Sequence, residues 1–376
     1  MKIVNLSNRL KLVFLLSFIC NLTYSQYTNL PLGYNFNLNL EPELEQSIQH
    51  STFKPIILNA ENIDVESIIE RNFFSNNNFL SARLFNKHLI EISGEDYYVG
   101  ASLLSNLTYG NEIEESLKTF TNTRGFIIDG YIGQRISFQT SFVENQAVFP
   151  NYIDSLIRTQ DFVIPGQGRG RTYYDNGFDY AKSSAFVSYN ASKNFTLQFG
   201  HGKHFIGDGY RSLLLSDNSF NYPFLRIQTN FGKFQYTNLY AELQDMKNYL
   251  SFENNYDYMG YAKKYMSSHY LSYNLNNKVS FGLYESVIWK TNRTLGANGF
   301  DINYLNPVIF FRPVEYSINS PDNVLIGLNF KYKTSKKSHI FSQIVVDEFT
   351  LNEIKQSNGY WANKYGYQIG YKCFDF

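Results

Sequence analysis

Cysteine is nearly absent from this chain of 376 residues: Cys20 and Cys373 are the only two. Cys20 lies in an N-terminal leader, so a single thiol survives leader removal. That excludes an internal disulfide and any multi-cysteine metal site. Long apolar runs are missing as well. No stretch after the leader approaches the roughly 18 consecutive apolar residues a helix needs to cross a bilayer. Charge of one sign is also missing, since 33 Lys and Arg balance 33 Asp and Glu. Bulk electrostatics therefore give no reason to expect a nucleic-acid partner. Aromatic residues are what the chain has in quantity, with 31 Tyr and 33 Phe.

Residues 1–25 read as a signal peptide. A basic start ending at Lys11 precedes the apolar run Leu12–Ile19, and a polar stretch ends Thr23-Tyr24-Ser25. Cleavage is expected between Ser25 and Gln26. Ser17-Phe18-Ile19 lacks the small residues that precede a lipidated cysteine, so Cys20 is not read as a lipid anchor. Loss of Lys2, Arg9 and Lys11 leaves the mature chain mildly acidic. Residues 26–78 form a separate lead-in. A first helix is expected to start near Pro42 and carry Leu44 and Ile48, and a second to cover 64–71 with Asp64 and Glu66 at its N-terminus. These short helices are expected at the periplasmic mouth as a plug or lid, the alternative being a flexible approach to the first strand.

From residue 79 to 376 the chain alternates. Val99, Ala101, Leu103, Leu107 and Tyr109 occupy every second position, as do Ile136, Phe138 and Phe142 against Arg135, Ser137, Gln139 and Ser141. Successive strand side chains point to opposite faces, so each such strand has one oily and one wet side. Candidate strands fall at 80–86, 88–94, 97–109, 122–133, 135–145, 178–190, 194–201, 223–231, 233–243, 266–274, 278–290, 323–333, 339–348 and 362–374. Short links such as 133–134 alternate with long segments such as 146–177. The pattern predicts an all-β fold: a transmembrane antiparallel β-barrel of the outer-membrane type, roughly 14 strands, oily side to lipid and wet side to a lumen. A mean hydropathy of -0.32 agrees, because such a barrel hides half of each strand in a polar interior. In the strand at 323–332 the pattern sends Lys331 inward, since lysine on the lipid side would cost roughly 2–4 kcal/mol.

The densest chemistry lies at Gly200-His201-Gly202-Lys203-His204-Phe205-Ile206-Gly207-Asp208-Gly209-Tyr210-Arg211-Ser212. His201 and His204 are three apart, which on a strand puts them on opposite faces without a third metal ligand. Ser212, His204 and Asp208 lack the nucleophile elbow of a hydrolase triad. Gly202-Lys203 lacks the rest of a phosphate loop. No metal or other cofactor is implied. Two readings remain for this stretch. In one, Gly200, Gly202, Gly207 and Gly209 shape a sharp inward turn held by an Asp208–Arg211 pair. In the other, His201, Lys203, His204, Asp208, Tyr210 and Arg211 contact sugar hydroxyls or acidic saccharide groups, with Tyr210 stacked on a pyranose face.

Residues 201–242, with Gly207–Asp217 and Asn221-Tyr222-Pro223, resemble the capsule-assembly Wzi family, and more closely its Bacteroidetes branch of gliding-motility RemB-like proteins. Leu305–Glu315, Val345–Phe349 and Trp361–Tyr365 carry the same resemblance. It implies a Gram-negative outer-membrane barrel of about eighteen strands, with small periplasmic helices and a lectin-like role in holding surface polysaccharide. Fewer strands are visible here, so a barrel incomplete at its C-terminus is expected, although Phe376 matches the terminal aromatic that barrel-insertion machinery recognises.

Asn306-Pro307 and Arg312-Pro313 punctuate a loop, and Asn306, Arg312 and Glu315 are further contact candidates or, for Arg312 and Glu315, a loop-stabilising pair. Asp347 and Glu348 are adjacent on a strand and so cannot flank one glycosidic bond. The leading expectation is a non-enzymatic protein of capsule assembly or retention. Its partners are cell-surface polysaccharide, outer-membrane lipid and the insertion machinery. An outer-membrane accessory of gliding motility or adhesion, acting through gliding-machinery proteins, is the alternative, with a hydrolase or pore third.

Overall fold

The computed structural model describes residues 27–46, 49–59, 88–174, 176–250, 260–290, 300–307, 323–347 and 364–374. The chain opens with a small unit made of β1 (Tyr27–Asn29), α1 (Tyr34–Gln46), β2 (Phe53–Lys54) and β3 (Ile57–Asn59), in which β1 pairs antiparallel with β3. Leu40 and Leu44, one turn apart on α1, bury against Leu30, Ile56 and Leu58. The helix begins eight residues before the expected start and carries Pro42 inside it. Proline there removes one helical N–H, and the burial of Leu40 and Leu44 on either side offsets that loss. The second expected helix, at 64–71, and the expected strand at 80–86 lie outside the described residues.

Next come β4 (Ile90–Ser93), β5 (Tyr97–Glu112), β6 (Leu117–Ile132) and β7 (Ile136–Val148). The segment expected as a plain outer loop contains α2 (Asn151–Thr159), β8 (Val163–Ile164), β9 (Gly168–Arg169) and β10 (Arg171–Tyr173). It folds because Ile157 and Ile164 find an apolar seat with Ala147, Phe178 and Tyr180. Then follow β11 (Gly177–Ser192), β12 (Phe195–Gly202), the short β13 (Phe205–Ile206), β14 (Tyr222–Phe231), β15 (Phe234–Leu250), β16 (Gly260–Asn274), β17 (Val279–Lys290), β18 (Asn323–Ser335), β19 (Ser338–Asp347) and β20 (Lys364–Cys373).

Fourteen of these strands make one antiparallel sheet in the order β20-β19-β18-β17-β16-β15-β14-β12-β11-β7-β6-β5-β4, with β10 on β11. Apart from the step over β13, neighbours in space are neighbours in sequence, a meander that needs no crossover. Among the described residues β4 and β20 are the sheet's outer strands and do not pair with each other, so the sheet is open, the expected barrel being incomplete there. Its two ends differ. Links at 94–96, 133–135, 193–194, 232–233, 275–278 and 336–337 all fall at one end and are short. At the other end four of the six links are long, including 149–176, 203–221 and 291–322.

The sheet is inverted relative to a water-soluble one. Leu103, Phe126, Ile136, Val187, Phe199, Phe281, Leu328 and Ile344 share one face and are exposed, and Tyr365, Tyr367, Ile369 and Tyr371 on β20 are 63–80% exposed. On the other face Ser188, Gln198, Arg226, Ser272, Asn329, Lys331 and Gln343 are buried. Monomeric soluble proteins rarely expose contiguous apolar patches beyond a few hundred Å². Lys331 faces inward, as the alternation required.

The N-terminal unit lies on this wet face. Asn29 bonds Ser137 of β7 at 3.0 Å, while Glu41 meets Lys372 of β20 at 2.7 Å. Between them His50 reaches Ser272 of β16, Arg226 of β14 donates to the Pro55 carbonyl, and Lys331 of β18 donates to Ser51. A unit this small can touch strands from β7 to β20 only if the sheet curls around it.

Candidate functional site

The site is built where the chain leaves β12. Instead of continuing outward, residues 203–221 turn onto the wet face, where Phe205 and Ile206 pair with Lys54 and Phe53 of the N-terminal unit. Ile206, Leu214 and Phe53 join Tyr222, Phe224, Leu239, Met266, Tyr270 and Tyr284 in the largest apolar cluster among the described residues. Gln343 of β19 pins the bend. Its side chain donates to the Ile206 carbonyl at 3.0 Å and accepts from the Leu213 amide at 2.9 Å. The segment does turn inward, but the glycines expected to shape the turn serve differently. Gly200 and Gly202 lie within β12, and none of the four expected turn glycines has positive φ. Gly200 lets the β11 backbone and Phe186 approach, and Gly207 and Gly209 lie against the rings of Phe205 and Phe341.

Asp208 is buried at the centre. Its carboxylate meets Lys331 Nζ at 3.0 Å and accepts from Asn329 Nδ2 at 3.1 Å and Thr52 Oγ1 at 3.3 Å. The expected Asp208–Arg211 pair is absent; Lys331 takes that place because its strand register aims the ammonium at the buried carboxylate. Burial alone would raise the Asp208 pKa, but Lys331 and Lys54 outweigh it and hold the carboxyl well below the usual range. Lys54 donates to the Gly207 carbonyl at 2.8 Å and lies 3.9 Å from Glu41, which pairs with Lys372. Burial lowers the Lys54 pKa, and Glu41 and Asp208 counteract it.

A pocket of about 140 Å³ opens beside this ladder, lined by Tyr34, Glu41, Lys54, Tyr210, Arg211, Asp217 and Lys372. Tyr34 and Tyr210 meet edge-on with ring centres 4.9 Å apart, and the Arg211 guanidinium sits 4.5 Å from the Tyr210 ring centre. The result is an exposed aromatic surface rimmed by three cations and two carboxylates. Such a rim can receive a ligand that offers hydroxyls and an anionic group together with an apolar ring face. Gly209 packs on Phe341, three residues from the start of β19, so the pocket lies toward the short-link end.

The remaining candidates do not converge there. His201 is directed at the Ser183 carbonyl, 3.2 Å away. Lys203 donates to the Gly166 and Ser219 carbonyls at 2.6 and 3.2 Å, tying two loops together. Burial, followed by Lys182, lowers its pKa to about 8. His204 is buried against Phe224 and bonds the Tyr222 hydroxyl at 3.1 Å; burial and Arg226 push its pKa well down. Ser212 donates to the Ile206 carbonyl, so Ser212, His204 and Asp208 are each engaged elsewhere rather than with one another. Asn306 follows the turn Ile302–Leu305, which covers the opposite face of the sheet: Ser267 of β16 donates to the Tyr304 carbonyl there. Arg312 and Glu315 lie outside the described residues. Tyr34, Glu41, Lys54 and Lys372 were missed in the sequence, being about 150 to 180 residues from the motif they complete.

No family model matches the chain, and no curated protein matches it. Among solved structures the chain is similar to the NanC porin, at 10% identity over 76% of this chain and 96% of that one, with a TM-score of 0.31. A FadL homologue of Pseudomonas aeruginosa gives 9% identity over 68% and 67%, with a TM-score of 0.30. A further porin gives 12% over 75% and 79%, with a TM-score of 0.33. Similarity this distant assigns neither a ligand nor an activity.

Proposed function

We propose that the chain is an outer-membrane β-barrel protein that binds surface polysaccharide without turning it over, serving capsule assembly or retention. The membrane reading is supported by the exposed apolar face, the buried polar face and the short–long alternation of links, which in such proteins marks periplasmic and outer ends. The binding reading rests on one observation: the Tyr34–Tyr210 surface with Arg211, Lys372, Glu41 and Asp217 around it. Aromatic faces receive the C–H side of a pyranose, and the charged rim takes hydroxyls and uronate groups. On this reading the short-link end is periplasmic, so the pocket meets the glycan before it reaches the cell surface, which favours assembly over retention.

The test uses the detergent-purified chain and polysaccharide extracted from the surface of the producing cells. Wild type retains the glycan, and Tyr210→Ala and Arg211→Ala each weaken retention about tenfold, a loss of roughly 1.4 kcal/mol. Absence of retention by wild type, or retention unaltered in both variants, would overturn the reading.

A further inference from the structure

A second cavity, of about 220 Å³, lies on the wet face under β5–β7, away from the Asp208 ladder. Tyr98 and Tyr131 form one wall. They are cross-strand partners with ring centres 5.7 Å apart and planes within 22°, a continuous flat aromatic surface. Asp129, Arg135, Gln139 and Asn29 also line the cavity. Asn29 is held by Ser137 at 3.0 Å and by Gln198 at 3.0 Å. Asp129 is held by His88, whose Nε2 lies 3.5 Å from the carboxylate and whose Nδ1 lies 2.9 Å from Ser102 Oγ. His88 reaches between these two residues because it lies flat on Gly100, where a Cβ would strike its ring. The Tyr98 hydroxyl is turned away toward Glu91, at 3.4 Å, which leaves the ring face to the cavity.

We infer that this cavity is a second saccharide subsite, taking one uncharged pyranose. An aromatic plane matches the C–H face of a sugar ring, and oriented amides and a carboxylate match its equatorial hydroxyls. The volume is below the ~300–1,000 Å³ of sites for drug-sized ligands, which suits a single ring. Asp129 and Arg135 both line the cavity and offset each other's charge. It therefore holds no excess of cations for a uronate, unlike the Arg211 pocket with its three cations and two carboxylates. The inference extends the polysaccharide reading: both cavities lie toward the short-link end of the wet face, so one glycan held at two points gains avidity without a new contact.

The experiment is calorimetric titration of the detergent-purified chain with maltohexaose, cellohexaose and mannohexaose, and separately with oligogalacturonate. At least one neutral hexaose binds, Tyr131→Ala and Tyr98→Ala weaken it about tenfold, and Tyr131→Phe keeps it. Heat-modifiable gel mobility checks that each variant is folded. No binding by any neutral hexaose, or binding that survives both alanine variants, overturns the subsite. Failure of the polysaccharide reading shows elsewhere, as loss of the oligogalacturonate arm with the neutral arm intact.

Discussion

The inner face of the sheet is built in two ways. Under β14–β20 it is filled: the N-terminal unit and residues 203–221 meet there, and Asp208, Lys331, Lys54 and Gln343 are sealed among them. Under β5–β7 it is lined by half-exposed serines, threonines and tyrosines around a cavity. Strand alternation is the same in both regions. The difference is what covers the polar face, and it decides how much each polar group matters. A carboxylate sealed with lysines is costly to disturb, whereas a hydroxyl facing water is not.

The largest expected effect is therefore at Asp208. Asp208→Asn removes the one carboxylate between Lys331 and Lys54 and should destabilise the fold by about 3–5 kcal/mol, the cost of an uncompensated buried charge. Thermal unfolding followed by gel mobility measures it. Pairing it with Lys331→Met should recover much of the loss, because the orphaned charge is then gone. A neutral outcome for Asp208→Asn alone would mean that the ladder is hydrated and that the two halves of the inner face are alike.

Acid should separate the halves next. His50 bonds Ser272 at 2.8 Å, and burial, then the charge of Lys331, lowers its pKa to about 4. Between about pH 4 and the unfolded value near 6.5, the unfolded chain binds the proton and the folded one does not. Stability contributed by His50 is thus present above that window and lost as pH falls through it, on the order of 3 kcal/mol in all. Protease nicking at residues 49–59 should rise from pH 6.5 to 4 in wild type and stay flat in His50→Gln. Equal nicking in both would remove His50 as the cause.

Much of the wall was legible in the sequence and little of the plug. Ile136, Phe138 and Phe142 alternate with polar residues, so most strand boundaries follow within three residues, though β6, β15 and β16 run five to seven residues further toward the long-link end. The inward course of Lys331 follows from the same rhythm. Contacts within a hairpin are local, and a period of two suffices to find them. Asp208 and Lys331 are 123 residues apart, and nothing periodic links them. Arg211, three residues from Asp208, was the nearest cation and the wrong one. Pro42 misled for a related reason: local chemistry favours it at a helix start, and only the distant Leu58 shows why the helix begins earlier. The His88–Ser102–Asp129 chain carries no sequence motif, and only the β5–β6 register brings it together.

The smallest effect belongs to the outer rim of the open half. Arg124 and Glu144 are cross-strand partners beyond Phe126 and Phe142, toward the long-link end, with their charged groups 3.7 Å apart and side chains 58% and 53% exposed. Exposed pairs of this kind contribute about 0–1 kcal/mol. Arg124→Ala should therefore leave thermal unfolding within about 0.5 kcal/mol of wild type, and added salt should erase even that. Its position is more telling than its energy. The pair interrupts the apolar outer face with charge, so on the proposed membrane reading it marks the edge of the band that would meet lipid. Arg124→Leu would extend that band by one row and should also be nearly neutral, whereas Phe126→Arg, one row inside the band's edge, should cost about 1 kcal/mol, the penalty for a charge near the border of a lipid layer. Equal tolerance at both rows would place Phe126 in water and break the reading of this face as a membrane surface.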